Sequence, residues 1–148
     1  MTTARKGRPR GFDADEALDR AIVVFWEQGY DGASLADLTG AMGISRKSMY
    51  AAFGNKDELF RRAVQRYIEG PGGSYAVRAL DAADSHGVAT EYLSGAARAA
   101  TRPGLPIGCL GVRGALAVGK TGQVAGDVLA VVRARDQERL QGRFRRAV

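Results

Sequence analysis

The amino-acid sequence predicts an all-α protein on the strength of three observations. Apolar residues recur every three or four positions, helix-capping residues precede several of these stretches, and no long stretch alternates polar with β-branched residues as a strand does. The segment Gly70-Pro71-Gly72-Gly73 interrupts the helical pattern midway. Such a break is typical of a domain boundary, so we expect a helical N-terminal domain followed by a second helical domain.

The first predicted helix begins after Asp13, which forms a capping-box pattern with Glu16. We expect it to stop at Gly29, because glycine commonly follows the last helical turn. Its apolar face consists of Ala17, Leu18, Ala21, Ile22, Phe25 and Trp26.

Residues 34–53 predict two short helices joined by a tight turn. Ser34 and Asp37 form a second capping-box pattern at the start of the first helix. Gly43 suits the left-handed conformation that ends such a helix, and Ser45 is placed to cap the next one.

A further helix follows, opened by a third capping-box pattern between Asn55 and Glu58. Its predicted apolar face consists of Leu59, Phe60, Ala63, Val64, Tyr67 and Ile68. Together with the helices before it, this helix would complete a small bundle that ends at the glycine-rich break.

Beyond that break the pattern is weaker, because glycines interrupt it. The apolar stripe of the last helix continues to Val148, which predicts that a partner surface or, as the preferred interpretation, further sequence covers it. We expect helices near residues 74–83, 88–101, 109–118 and 123–147, with loops at 102–106 and 119–122.

Charge is informative only through its distribution. The net charge is +6, but residues 1–69 carry 11 Lys/Arg against 10 Asp/Glu, whereas residues 70–148 carry 11 against 6. The basic excess therefore lies mostly in the second half, and bulk charge speaks only to solubility and loose association. A local arrangement says more: a basic arm without acids precedes Asp13 and is suited to phosphate or minor-groove contacts. It contains Arg5, Lys6, Arg8 and Arg10.

Cys109 is the single cysteine, so no intrachain disulfide can form and a reducing compartment is expected. The basic N-terminus runs into acidic residues rather than an apolar stretch, which argues against a signal peptide. No apolar run approaches the length that spans a bilayer. We therefore expect a cytoplasmic protein.

The second helix of the pair carries the side chains that DNA reading requires. Four polar or cationic residues and no acid occupy its start: Ser45, Arg46, Lys47 and Ser48. Arg and Lys can bind guanine edges in the major groove, and Ser can bind bases or phosphates. Tyr50 lies one turn further on, and Lys56 stands at the start of the following helix, where lysine and free amides favour a phosphate. Each side chain alone could belong to an ordinary solvated or packed face, but on this frame they predict a helix-turn-helix that reads double-stranded DNA.

These residues resemble the N-terminal domain of the TetR/AcrR transcriptional repressors over about residues 11–71. The resemblance is carried by Gly29-Tyr30, Ser34-Leu35, Leu38, Gly43-Ile44-Ser45, Tyr50, Phe53, Lys56 and Leu59-Phe60, and Gly7-Arg8-Pro9-Arg10 is similar too. It implies an arm at residues 1–10 and a three-helix DNA-binding domain at 11–71 with its helix-turn-helix at 34–53. It further implies base or phosphate contacts for Ser45, Arg46, Lys47 and Ser48, and backbone contacts for Ser34, Tyr50 and Lys56.

The chain departs from the family pattern in ways that leave the operator sequence open. Lys47-Ser48 stands where many members have Gly-Thr or Gly-Ser, and Ala51-Ala52 stands where many have bulky aromatic residues or His. After residue 71 only Gly108-Cys109-Leu110 and the long last helix are similar. Members usually end in two long dimer-forming helices, of which only the first is found here. Residues 72–148 are therefore expected to form an incomplete regulatory and dimerisation domain.

The resemblance implies a ligand-responsive repressor that binds a palindromic operator as a homodimer, without enzymatic activity or a cofactor. Its recognition helices would enter successive major grooves about 34 Å apart. A small-molecule effector bound between the helices after Ser74 would shift the helix that carries Lys56. The aliphatic second domain makes an apolar or lightly polar effector plausible, but the sequence does not identify it.

Three further features suggest other functions. Residues 114–121 read GALAVGKT, so that Gly114, Lys120 and Thr121 fit the phosphate-loop pattern of nucleotide-binding proteins, although such a loop must follow a buried strand. Cys109 lies at a predicted helix start and could sense oxidants or electrophiles, but a buried inert thiol is commoner. His86, the single histidine, lacks neighbours at metal-ligand spacing, and we predict neither a metal site nor a catalytic one.

Overall fold

The computed structural model describes residues 11–116 and 122–146, without the side chains of 114–116. The described residues form eight α-helices and no β-strand, which confirms the all-α fold class. The helices are α1 (Ala14–Gly32), α2 (Leu35–Met42), α3 (Arg46–Phe53), α4 (Lys56–Glu69), α5 (Ser74–Leu80), α6 (Ser85–Ala100), α7 (Leu110–Leu116) and α8 (Gln123–Arg145).

The start of α1 corrects one expectation and its end refines another. Asp13 caps the helix by accepting hydrogen bonds from two backbone amides, those of Asp15 and Glu16. The carboxylate of Glu16 does not reach back to close a capping box but pairs with Arg20 one turn later. Gly29 interrupts the helix with a φ of 72°, and one further turn follows before α1 ends.

The other two capping boxes are present as predicted. Ser34 and Asp37 exchange side chain-to-backbone hydrogen bonds at the start of α2, and Asn55 and Glu58 do so at the start of α4. Gly43 ends α2 in the left-handed conformation, with φ 67° and ψ 29°. These local signals fix the starts of both helices and the end of α2, because each satisfies backbone groups that a helix end leaves without partners.

The later helices differ modestly from the sequence-based bounds. Helix α5 ends three residues earlier than predicted, and α6 begins three residues earlier, at Ser85. The reason for the second shift is Asp84, whose carboxylate caps α6 by accepting a hydrogen bond from the amide of Gly87 at 2.7 Å. Residues 117–118 and 147, which the sequence placed in helices, lie outside the described part of the chain.

Aromatic side chains join α1 to α4 in the core. The rings of Phe25 and Phe60 meet edge to face with centroids 5.0 Å apart, and Trp26 meets Tyr67 in the same way at 4.9 Å. Tyr30 packs on the first of these pairs, with its ring centroid 5.2 Å from that of Phe60 and 6.3 Å from that of Phe25. All of these side chains are buried, and such pairs stabilise a core beyond the area they bury.

The second half of the chain adds little of its own to this core. Its contribution to the main buried cluster is Leu110, Ala125 and Leu129, on α7 and α8. Leu110 is also tied by its amide to the phenol oxygen of Tyr67, at 3.4 Å. The later helices thus complete the core built on α1 and α4, in agreement with their poverty in aromatic residues.

Truncation of a central ring should be costly. Phe25→Ala is expected to lower the free energy of unfolding by about 3–5 kcal/mol, because the residue is fully buried and the lost ring leaves a cavity. The change is measured by denaturant unfolding followed by circular dichroism. Leu93→Ala serves as the control, since Leu93 is 68% exposed and should change stability by less than about 0.5 kcal/mol. Equal effects of the two substitutions would contradict this description of the core.

Candidate nucleic-acid interface

Helix α3 presents one packed face and one exposed face. Met49 and Phe53, one turn apart, are buried at 0% and 3% exposure and attach the helix to the core. Arg46 and Lys47 are exposed, and Tyr50 retains 48% of its surface. The predicted cationic side chains are therefore available to a large polar partner along one side of the helix.

The serines at the start of α3 form its N-terminal cap. Ser45 accepts a hydrogen bond from the amide of Ser48 at 3.1 Å, and the two hydroxyl oxygens lie 3.0 Å apart. Ser45 is exposed and Ser48 is half-buried. The capping hydroxyl of Ser45 thus lies at the start of α3, next to the exposed Arg46.

Ser34 is more fully engaged than the other candidate residues. Its hydroxyl donates to the carboxylate of Asp37 at 2.6 Å and accepts from the Asp37 amide at 3.0 Å. Hydrogen bonds from Ser34 lower the pKa of the Asp37 carboxyl. A phosphate oxygen accepts hydrogen bonds. For the Ser34 hydroxyl to contact a phosphate, its hydrogen must therefore turn away from the Asp37 carboxylate and toward the phosphate.

Lys56 lies in a pocket of aromatic and acidic groups at the start of α4. Its ammonium nitrogen is 4.5 Å from the centroid of the Tyr30 ring, a cation–π distance. Burial lowers the pKa of Lys56, and the nearby carboxylates of Asp31 and Asp57 oppose that shift. The Tyr30 hydroxyl donates to Asp57, and burial raises the pKa of Tyr30. The lysine is half-buried, so the surrounding groups hold its side chain in place while part of it stays accessible to solvent.

A concave surface beside α3 was not anticipated from the sequence. It has a volume of about 380 Å³, and the small side chains of Ala51 and Ala52 leave it open. Its other lining residues are Gly11, Phe12, Gly43, Ile44, Ser45 and Ser48. The basic arm residues Arg8 and Arg10 lie outside the described residues, so their contribution stays a prediction.

A second, larger cavity lies between α4 and α8. Its volume is about 500 Å³, and its lining is mainly apolar and aromatic. The sequence placed a ligand after Ser74 but did not single out these residues, because they come from five different helices and connecting segments. The lining residues include Val64, Tyr67, Ile68, Tyr75, Tyr92, Cys109, Leu129, Val132, Arg133, Asp136, Leu140 and Phe144.

Tyrosine hydroxyls supply polar groups to this cavity. The rings of Tyr75 and Tyr92 meet at a centroid distance of 5.3 Å, and burial raises the pKa of both phenols. The pKa of Tyr67 is also raised, by burial and by its hydrogen bond with Cys109. The phenols therefore stay neutral near neutral pH and can donate hydrogen bonds to a ligand.

The remaining sequence motifs meet different outcomes. Leu110–Leu116 is a helix, so the segment that leads into the phosphate-loop pattern is not the strand such a loop must follow. Residues 117–121 of that pattern, including Lys120 and Thr121, lie outside the described residues.

His86 is exposed at the start of α6. Among the described residues, no group of three His, Cys, Asp or Glu side chains could hold a metal ion. None of the described helices has the length and apolar character needed to span a membrane.

Comparison of sequences matches the N-terminal part of the chain to one protein family. Residues 17–63 match the family described as "Bacterial regulatory proteins, tetR family". The HTH-type transcriptional repressor ComR of Escherichia coli is 37% identical over 105 residues, which are 70% of this chain and 50% of ComR. The uncharacterised HTH-type regulator YezE of Bacillus subtilis is 50% identical over 64 residues, 43% of this chain and 33% of YezE. The chain spans about half the length or less of these relatives.

Comparison of structures extends the similarity to nearly the whole chain. A cysteine-substituted variant of the TetR family transcriptional regulator CifR, complexed with 26-bp double-strand operator DNA, has a TM-score of 0.88 and 42% identity, and the match covers 95% of this chain and 73% of that protein. The regulator PfmR from Thermus thermophilus has a TM-score of 0.62 and 25% identity over 100% of this chain and 72% of PfmR.

Proposed function

Because this chain belongs to the TetR family of bacterial transcriptional regulators, we propose that it is a sequence-specific repressor that reads operator DNA with α3. One observation carries the proposal above the others: Met49 and Phe53 fix one face of α3 to the core, while Arg46, Lys47 and Tyr50 stand exposed on the rest. A short helix fixed in this way can enter a major groove without losing its packing.

Each site residue has a specific role in this proposal. Arg46 and Lys47 read base edges, and Ser45 and Ser48 bind a base or phosphate while capping the helix. Four further groups bind the DNA backbone: Ser34, Tyr50, Lys56 and the basic arm with Arg8 and Arg10. The DNA complex of CifR, 42% identical to this chain, supports assigning the same kind of partner here.

We also propose a division of labour between domains. Residues 11–71 form the DNA-binding domain, and residues 72–148 contribute to a regulatory and dimerisation domain, through which a homodimer would place two α3 helices on a palindromic site. The cavity between α4 and α8 supports regulation, because Val64, Tyr67 and Ile68 on its wall belong to the helix that begins with Lys56. A ligand there would act on α4 directly.

The cavity favours a largely apolar, uncharged effector with one or two hydrogen-bond acceptors. Its volume of about 500 Å³ lies in the usual range for small-molecule sites. Arg133 and Asp136 both line the cavity, so the lining carries one positive and one negative side chain, and Arg133 already donates to the Gly111 carbonyl at 3.1 Å. Neutral phenols, rather than a net charge, would then orient the ligand.

DNA reading is tested by selecting bound sequences from a random pool and then titrating the selected operator. Lys56→Ala should weaken binding to all DNA and reduce the slope of log affinity against log salt by about one phosphate contact. Arg46→Ala or Lys47→Ala should instead relax the preference at particular bases, at about 1–3 kcal/mol per lost contact. If Arg46→Ala and Lys47→Ala altered every sequence equally, direct reading by α3 would be wrong.

The cavity is tested with the neutral apolar dye Nile red, whose fluorescence rises on transfer from water to an apolar site. Wild-type protein should bind it, and Val132→Trp should abolish binding because the new ring fills the cavity that Val132 lines. Val131→Trp is the matched control, since the neighbouring Val131 is 68% exposed and absent from the lining. Loss of dye binding in both variants, or in neither, would contradict the cavity as the ligand site.

A second candidate function is redox or electrophile sensing through Cys109. The supporting observation is that Cys109 lines the same cavity as Tyr67 of α4, so a modified thiol would change the surroundings of the wall formed by α4. Iodoacetamide should then add one equivalent to the native protein, as measured by intact mass, and lower operator affinity. Cys109→Ser should show neither change. An unreactive thiol in the native protein would end this hypothesis.

A further inference from the structure

We propose that Arg62, on α4, is a positioning residue for DNA recognition, because it fixes the C-terminal end of α3 and thereby the orientation in which that helix presents its cationic face. This inference rests on the proposed function, in which α3 reads DNA. It assigns a role to a residue that neither the helix-turn-helix pattern nor the family resemblance indicates.

The need for such a residue follows from how lightly α3 is held. The helix has eight residues, of which Met49 and Phe53 are buried. Helices of this length are not stable alone and depend on tertiary contacts. The two buried side chains lie one turn apart on a single face, with the half-buried Ala52 packed beside them, so only a few side chains of α3 hold the direction of its axis.

Arg62 supplies a contact that differs from these in kind. One guanidinium nitrogen donates to the backbone carbonyl of Ala52 at 3.0 Å. This carbonyl belongs to the last turn of α3, where carbonyls lack donors within the helix. The guanidinium carbon also lies 5.9 Å from the centroid of the Phe53 ring. Since a cation is favoured at a helix C-terminus, one side chain engages the backbone, the dipole and a buried anchor of α3.

The helix that carries Arg62 is itself firmly placed. Leu59, Phe60 and Ala63 of α4 are fully buried, and Arg66, one turn after Arg62, donates to the carboxylate of Asp19 on α1 at 2.8 Å. Arg62 therefore extends from a rigid helix toward a lightly held one. Because the same helix lines the cavity through Tyr67, Arg62 also links the recognition helix to the cavity wall.

A matched control stands next to it in the sequence. Arg61 is exposed like Arg62; among the described residues its guanidinium makes no hydrogen bond or ion pair, and its charge acts on the Tyr30 phenol, whose pKa it lowers slightly against the larger effect of burial. Arg61→Met and Arg62→Met remove the same charge from neighbouring positions of one helix, so a difference between them reports the contact with α3 rather than net charge.

The first measurement is DNA binding by the full chain. Arg62→Met should raise the dissociation constant for the selected operator about fivefold, as expected for loss of a charge-assisted hydrogen bond at an exposed site. Affinity for random DNA of the same length and the salt slope should stay unchanged, and Arg61→Met should bind like wild type. A parallel loss on random DNA with a slope reduced by about one would show a phosphate contact instead and overturn the proposal, as would equal behaviour of the two variants.

The second measurement needs no DNA. Amide hydrogen exchange within residues 46–53 should accelerate about fivefold in Arg62→Met but not in Arg61→Met, while exchange in α1 stays unchanged. Acceleration in α1 by the same factor, or a variant that does not fold, would assign Arg62 to general stability and overturn the proposal. If the wild-type chain selected no DNA, the proposed function would fail, whereas the exchange comparison would still decide whether Arg62 holds α3.

Discussion

The edge-to-face packing between α1 and α4 is the interaction on which the rest of this structure depends. Phe25 against Phe60 and Trp26 against Tyr67 hold the two helices together along their length. Helix α4 then carries three residues of the proposed functions along its length: Lys56 at its start, Arg62 against α3, and Tyr67 at the cavity. Because protein interiors are close-packed, a displacement of α4 at one of these residues also moves the other two.

In the N-terminal half of the chain, the positions of the charged side chains, rather than their net charge, determine where the surface is cationic. Residues 1–69 carry almost as many acids as bases, yet Asp19 is occupied by Arg66 and Asp37 by Ser34. Carboxylates that make these ion pairs and hydrogen bonds hold helix starts and pairs of helices in place, while Arg46 and Lys47 stay exposed. A nearly neutral domain can thus offer a cationic face.

Local signals explain why much of the fold could be predicted from the sequence. Capping pairs such as Asn55 with Glu58 act within one turn, so they are legible in a linear sequence and were confirmed. Glu16 shows the limit, since an arginine one turn later competed successfully for the same carboxylate. The cavity and the contact of Arg62 with Ala52 could not be predicted, because both depend on residues brought together only by packing, ten or more positions apart.

The position of Trp26 has a practical consequence. It is the single tryptophan of the chain, is almost fully buried, and its indole N–H has no hydrogen-bond partner among the described residues. Its ring lies against Tyr67, which lines the cavity. The protein thereby contains an intrinsic fluorescent group on α1, one side chain away from the cavity that α4 lines. Because indole emission depends on its surroundings, a displacement of Tyr67 at the cavity wall should change the fluorescence of Trp26 without any label.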